Sequence, residues 1–132
     1  MAIKIIFAIC GLCYLLIRIL CNDKKREHIT IIIYKDDNPK SARSIWLTLS
    51  DGILNMTEQD IGPLVEYALG NSCHERYLSN ISAKAVRKAV KADANDVLLD
   101  KLKVMFGTNS GFDDFAEFLR NNKIQHCEYG SY

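Results

Sequence analysis

Residues 44–57, SIWLTLSDGILNMT, decide the fold of this chain. Ile45, Leu47 and Leu49 recur at every second position, the period of a strand that buries one of its two faces. Asp51-Gly52 follows, and this dipeptide tolerates the positive φ angles that a two-residue hairpin turn requires. The pattern predicts two antiparallel strands joined by a tight turn.

Further strands are predicted on both sides of this hairpin. Residues 28–35, HITIIIYK, are β-branched and apolar, and the turn-rich segment DDNPKSAR ends them, which indicates a first strand. Residues 73–81, CHERYLSNI, alternate well enough for a fourth strand. Residues 123–129, KIQHCEY, are expected to form a final strand or an extended tail.

A short helix is predicted over residues 61–69, between the third and fourth strands. Pro63 suits its first turn, where a missing N–H is harmless, and Gly70 suits its C-terminal end. The carboxylate of Asp60 is expected to cap its positive end. The residues expected to form its buried stripe are Leu64, Val65, Ala68 and Leu69.

The second half of the chain is predicted to be mainly helical. Ser82 is the expected N-cap of AKAVRKAVKA (83–92), and further helices are predicted over 97–106 and 112–122. The last of these places Phe112, Phe115, Phe118 and Leu119 on one face. The predicted fold class is therefore α+β: an antiparallel sheet of four or five strands covered by three to four helices, preceded by one N-terminal transmembrane helix.

The N-terminal segment differs in composition from the rest. Residues 5–21, IIFAICGLCYLLIRILC, are apolar except for Arg18, and residues 3–21 would span nearly 30 Å as a helix, about the thickness of a hydrocarbon core. A cleaved signal peptide and a buried core helix are the rival interpretations, but the small-residue cleavage site that a signal peptide needs does not follow. The predicted organisation is a transmembrane anchor (1–22), a charged linker (23–27) and a small α+β domain (28–132).

Basic residues predict the orientation of this anchor. Arg18 and the KKR segment at 24–26 on its C-terminal side outnumber Lys4 on the other side. The positive-inside rule then places the domain in the cytoplasm, on a single-pass inner-membrane anchor, with a periplasmic location as the open alternative.

The charge balance limits the classes of partner. Lys and Arg total 17 against 16 Asp and Glu, so the chain lacks the basic excess of a nucleic-acid binder, and no nucleic-acid partner is predicted. One local exception is the basic run Lys84, Arg87, Lys88 and Lys91, whose helical spacing places all four on one face. A solvated face is the preferred interpretation; the alternatives are a contact with anionic lipid beside the anchor, with nucleic acid or with an acidic partner.

Two Cys-His pairs are the first candidates for chemistry. Cys73-His74 and His126-Cys127 each lie near a predicted strand, and together they contain the ligand types of a zinc site. Adjacent strand residues point to opposite faces, however, so one pair rarely supplies two ligands to one metal. A disulfide between the two cysteines stays open. No cofactor, metal, catalytic residue or small-molecule substrate is predicted, and a Cys/His-dependent metal-binding domain or small enzyme remains the alternative function.

Acidic residues are the second set of candidates. They could form a carboxylate pair or bind a divalent cation, but general acid/base chemistry needs two groups in different environments, which their spacing does not indicate. Glu66 is expected on the solvent side of the short helix, available to a partner or to Arg76. The predicted partner-binding residues are Asp60, Glu66, Glu75, Asp113 and Asp114.

A resemblance adds to this interpretation. QDIGPLVEYALG followed by ERYL (59–78) resembles a QD-[IL]-G-P-x-V-E pattern of small bacterial proteins, some of them similar to immunity or antitoxin-type proteins. The resemblance covers roughly residues 45–128. His74 departs from it, since Tyr is usual at that position, and the N-terminal anchor is not part of the pattern. It implies no catalytic role. The expected function is a membrane-anchored module that binds a protein partner such as a toxin, with a membrane-proximal scaffold subunit as a further alternative.

Overall fold

The computed structural model describes residues 27–131, which form one antiparallel sheet and four helices. The strands are β1 (His28–Lys35), β2 (Ala42–Ser50), β3 (Ile53–Ile61), β4 (Cys73–Ser82) and β5 (Cys127–Ser131). The helices are α1 (Pro63–Leu69), α2 (Ala83–Val90), α3 (Asn95–Phe106) and α4 (Gly111–Asn121). The predicted α+β class is confirmed.

The five strands lie in the sheet in chain order, and each is antiparallel to its neighbours. The predicted hairpin forms its centre, with Leu49 opposite Leu54 and Leu47 opposite Met56 across the Asp-Gly turn. Both positions at this turn have positive φ, as the dipeptide requires. The register therefore places one apolar row of β2 against one apolar row of β3.

The core lies between one face of the sheet and helices α2, α3 and α4. Leu47, Leu54 and Met56 are fully buried on the sheet side. Phe112 and Phe115 of α4 are fully buried on the helix side, on the face that the phenylalanine spacing predicts. Burial of large apolar side chains on both layers is the main source of stability for a domain of this size.

Three predicted features of the fold are wrong in detail. The third strand does not end at residue 57 but continues to Ile61, so α1 begins at Pro63. The expected buried stripe of α1 is limited to Val65, since Leu64, Ala68 and Leu69 are exposed. The final strand is Cys127–Ser131 and not 123–129, because Lys123 has a positive φ of 55° in the turn that follows α4.

The predicted anchor (1–22) and most of the linker (23–27) lie outside the described residues. Among residues 27–131 no helix has the length and apolar character needed to cross a bilayer.

The sheet has two ends that differ in what they carry. The end at the Asp51-Gly52 turn also holds Glu27, where the described chain begins, because the backbone N–H of Asp51 donates to the Glu27 carbonyl at 3.4 Å. This is the entry end. The nine residues of β3 lead to the far end, about 27 Å away at 3.3 Å per residue, where α1 lies.

Candidate functional site

A network of charged side chains occupies the far end on the core face of the sheet. Arg43 of β2 holds Asp60 of β3 through two hydrogen bonds, from Nε to Oδ1 at 2.7 Å and from Nη2 to Oδ2 at 2.8 Å. The two residues are direct cross-strand partners, so the strand register brings them together. The Nη1 of Arg43 also donates to the carbonyl of Asn109 at 2.9 Å, which ties the loop before α4 to the sheet.

Glu58 is the centre of this network. Its side chain is buried, with 1% of the residue exposed, and it lies opposite Ile45 on β2 and Arg76 on β4. The Nε of Arg76 donates to Oε1 at 2.9 Å, while Oε2 lies 3.5 Å from Arg43 Nη1 and accepts no hydrogen bond from the described residues. Glu58 thus faces two guanidinium groups from neighbouring strands.

Arg76 extends the network to the helical layer. Its Nη1 donates to Asp113 Oδ1 at 2.9 Å, and its guanidinium carbon lies 4.3 Å from the centroid of the Phe112 ring. A guanidinium over an aromatic face adds a cation–π attraction to the ion pair. The first turn of α4 is therefore attached to β4 by charge as well as by packing.

Burial and ion pairing act against each other in this network. Burial raises the pKa of Glu58 above its ordinary value of 4.5, and the hydrogen bond from Arg76 and the charge of Arg43 offset only part of that effect. Burial alone would lower the pKa of Arg76, but its hydrogen bonds to Asp113 and Glu58 outweigh it, so the pKa is raised. The hydrogen bonds to Asp60 raise the pKa of Arg43. Both guanidinium groups stay charged.

The short helix α1 is attached to the far end by its backbone. The N–H of Leu64 donates to the Lys40 carbonyl at 3.1 Å, and the N–H of Gly62 donates to the Ser72 carbonyl at 3.0 Å. Pro63 begins the helix and Gly70 ends it with a φ of 82°, both as predicted. The expected capping by Asp60 is wrong: no side chain caps the helix, because Asp60 lies within β3 and its carboxylate is held by Arg43.

Apart from Glu66, the exposed side chains of α1 are apolar. Tyr67 is 91% exposed, and Leu64 and Leu69 are 52% and 47% exposed on either side of the buried Val65. Ile61, at the end of β3, is also exposed. We refer to Ile61, Leu64, Tyr67 and Leu69 as the α1 patch.

The five predicted partner-binding acids all lie in the half of the domain that contains the far end, but in different environments. Asp60 and Asp113 belong to the ion network, while Glu66 is exposed on α1. Arg76 binds Glu58 and Asp113, so the suggested pair with Glu66 is wrong. Asp114 accepts a hydrogen bond from the Ser110 hydroxyl at 2.8 Å.

Glu75 lies on the other face of the sheet. It accepts a hydrogen bond from Gln59 Nε2 at 2.8 Å and another from the Tyr77 hydroxyl, and the Tyr77 ring stacks on Tyr129 with centroids 4.9 Å apart. Since successive strand residues point to opposite faces, Glu75 cannot share a surface with its neighbour Arg76. The structure therefore does not bring Glu75 together with Asp60 and Asp113.

No protein-family model, no curated protein and no solved structure matches this chain.

The Cys-His pairs are far apart. Cys73 begins β4, whereas Cys127 lies opposite Ser79, six residues and about 20 Å further along that strand. Disulfide bonding requires α-carbons within about 7 Å, and both cysteines are free and exposed. Within residues 27–131 no group of three or more His, Cys, Asp or Glu side chains could hold a metal ion.

The sequence interpretation missed Glu58 and its two arginines. The signal was present, because Leu54, Met56 and Glu58 share the period of the hairpin and so must share its buried face. A carboxylate at such a position predicts cationic partners on the neighbouring strands. The exposure of Tyr67 had no comparable signal, since it depends on how few residues of α1 reach the core.

Proposed function

We propose that this chain is a membrane-anchored protein-binding module of the immunity or antitoxin type, which neutralises a partner toxin by binding it directly at the far end. Residues 3–21 are the proposed anchor, in the inner membrane, with the domain in the cytoplasm. The QD-I-G-P-x-V-E resemblance supports the class of partner, and the α1 patch supports the contact surface.

The exposure of Tyr67 is the observation that carries the proposal. A tyrosine exposed to 91%, on a seven-residue helix that also exposes Leu64 and Leu69, contributes nothing to the core and leaves apolar area in contact with water. Exposed apolar side chains concentrated on one short element are typical of interaction sites, and tyrosine is among the residues most enriched where binding energy concentrates. The α1 patch is therefore the proposed centre of the interface.

The one charged residue of α1, Glu66, indicates part of the chemistry of the partner. Glu66 projects from the same helix, and no basic residue lies in α1. Arg43 and Arg76 at this end are neutralised by Glu58, Asp60 and Asp113. We expect a partner surface with an apolar centre and a basic residue opposite Glu66, since charge complementarity governs association rate and specificity.

The central test replaces Tyr67 and compares it with a matched residue. The full-length chain, solubilised in detergent, is used to capture its partner from the source organism, as wild type, Tyr67→Ala and Val104→Ala. Val104 is 85% exposed on α3 and serves as the control. We expect the partner of the wild type to bind Val104→Ala equally and Tyr67→Ala at least about tenfold more weakly, the usual loss for an interface anchor. Equal binding by all three chains would overturn the assignment.

A second test reverses the charge of Glu66 on α1. Glu66→Lys should slow association with the captured partner severalfold, and the effect should shrink at high salt, because added salt screens exposed charges. Asp100→Lys, at an exposed position on α3, is the control and should leave the rate unchanged. If Glu66→Lys associated as fast as the wild type, the partner would not approach this side of α1.

The anchor is tested separately from binding. The full chain should remain in the membrane fraction through extraction with sodium carbonate, which strips peripheral proteins. Release into the soluble fraction would remove the membrane part of the proposal and leave the α1 interface standing.

A further inference from the structure

The basic helix α2 lies beside the point where the described chain begins. The Nη1 of Arg87 donates to Asn95 Oδ1 at 3.1 Å, and Asn95 Nδ2 donates to Glu27 Oε2 at 3.0 Å. The backbone N–H of Ala83, the first residue of α2, donates to the carbonyl of Gly52 in the hairpin turn at 2.9 Å. These contacts hold α2 at the entry end.

The exposed side of α2 is purely cationic. Ser82 caps the helix by accepting a hydrogen bond from the Ala85 N–H at 3.2 Å, and Val86 is fully buried in the core. Lys84 and Lys88 are exposed, one turn apart on the same face. No acidic residue occurs in the helix.

A cavity of about 700 Å³ opens next to this face. Lys88 lines it from α2 and Lys123 from the turn after α4, while Ile53, Ala89 and Ile124 give it an apolar part. None of the ten residues that line it is acidic. Two ammonium groups beside an apolar wall fit a ligand that carries both phosphate and hydrocarbon, as a lipid headgroup with its glycerol backbone does.

The length of the chain before Glu27 brings a membrane within reach of this face. Five residues, 22–26, separate the proposed anchor from Glu27, and a fully extended segment of this length covers at most about 20 Å. Three of them, Lys24, Lys25 and Arg26, are basic, as an attachment to anionic lipid requires.

We propose that α2 and the adjacent cavity dock on the anionic lipid headgroups of the membrane that carries the anchor, with the cavity holding one headgroup between Lys88 and Lys123. The inference rests on the proposed membrane anchor, but not on the α1 interface. Docking at the entry end turns the far end, and with it the α1 patch, away from the bilayer.

Lysine reactivity in lipid nanodiscs tests this docking. The full chain is reconstituted in discs of phosphatidylcholine alone or of phosphatidylcholine with phosphatidylglycerol, and its lysines are acetylated briefly and quantified by peptide mass spectrometry. We expect Lys84, Lys88 and Lys123 to react several times more slowly in the anionic discs. Lys40 at the far end and Lys103 near the end of α3 are exposed controls and should react equally in both.

Two further conditions distinguish anionic lipid from free phosphate as the ligand. Protection in anionic discs should disappear in 1 M salt, and addition of inorganic phosphate to neutral discs should not reproduce it. Protection by phosphate alone would assign the cavity to a free anion and overturn the lipid proposal, as would equal reactivity in both kinds of disc.

A charge-reversal variant completes the test. Lys84→Glu with Lys88→Glu should abolish the protection of Lys123, whereas Lys103→Glu should leave it intact. Carbonate extraction of the same samples distinguishes failure of the proposed anchor from failure of the proposed docking of α2. A chain that stays in the membrane without lysine protection overturns docking alone, and a chain that is extracted overturns both the anchor and the docking.

Discussion

At the scale of single residues, Glu58 is the least expected feature of the domain. A carboxylate that is 1% exposed loses nearly all of its hydration, and its two guanidinium neighbours return only part of that free energy. The arginines do not depend on Glu58 alone, because Arg43 also holds Asp60 and Arg76 also holds Asp113. Glu58 therefore joins two ion pairs that would each persist without it.

This arrangement predicts the pH dependence of the variant Glu58→Gln. A raised carboxyl pKa in the folded state means that the folded state binds the proton more tightly than the unfolded chain does. The contribution of Glu58 is then fully present below pH 4.5 and is lost as the pH rises through the folded pKa, by about 1.4 kcal/mol for each unit of the shift. The glutamine carries no such penalty.

We therefore expect the free energy of unfolding of Glu58→Gln, relative to the wild type, to improve as the pH rises from about 4 to 7. Urea denaturation of the full chain in detergent at several pH values measures this difference, in which the other titrating groups cancel. A relative stability that worsened over this range would mean that the ion pairs dominate over burial.

At the scale of elements, α1 depends on the backbone of Gly62. This residue has a φ of 144°, and an added β-carbon would lie 2.4 Å from the Lys40 carbonyl oxygen, the atom that accepts the hydrogen bond from Leu64. Gly70 also has a positive φ, of 82°, but no atom lies within 4 Å of an added β-carbon. The two glycines at the ends of α1 thus differ in the room available for a side chain: Gly62 has none, whereas Gly70 is open.

Alanine at these two positions is expected to have unequal effects. Gly70→Ala should cost about 1–2 kcal/mol of stability, the usual strain of a left-handed residue with a side chain. Gly62→Ala should cost more than that, because it adds a backbone collision to a conformation that only glycine adopts readily. Urea midpoints rank the variants, and amide exchange of Leu64 reports whether α1 has detached. Equal midpoints for Gly62→Ala and Gly70→Ala would show that the backbone at Lys40 moves aside at no cost in stability.

The elements also show how far the sequence predicts the fold. Strands β1, β2 and β4 and the phenylalanine face of α4 were predicted because their apolar periods are local properties of the chain. The end of β3 was missed because the burial of Glu58 depends on Arg43 and Arg76, residues 15 and 18 positions away. Of the far-end site, the sequence indicated the acids Asp60 and Asp113 as candidate residues, but not the arginines that neutralise them.

At the scale of the whole molecule, both ends of the sheet carry exposed charges of both signs. The entry end carries the exposed lysines of α2 and Lys123 together with Glu27 and Asp51. The far end carries Glu66 and Asp114 together with Lys40, beside arginines that are already paired. The proposed membrane contact and the proposed partner contact therefore lie about one strand length apart. Each can be occupied without displacing the other.

The two cysteines of the domain report on these ends separately. Cys73 lies opposite Ile61 of the α1 patch, and Cys127 lines a recess with Asn80 and Gln125, two residues that also line the cavity beside α2. In nanodiscs, anionic lipid should slow the alkylation of Cys127 by a hydrophilic maleimide and leave Cys73 unchanged. Bound partner should slow Cys73 and leave Cys127 unchanged, because each ligand covers one end only.

Peptide mass spectrometry measures both rates in the same sample and separates them from those of Cys10, Cys13 and Cys21. Neutral discs without partner provide the reference rates for each thiol. If lipid and partner each slowed the same cysteine, or if the partner lost affinity in anionic discs, the two contacts would compete for one surface. The distance between the two ends would then have no consequence for how the domain is oriented.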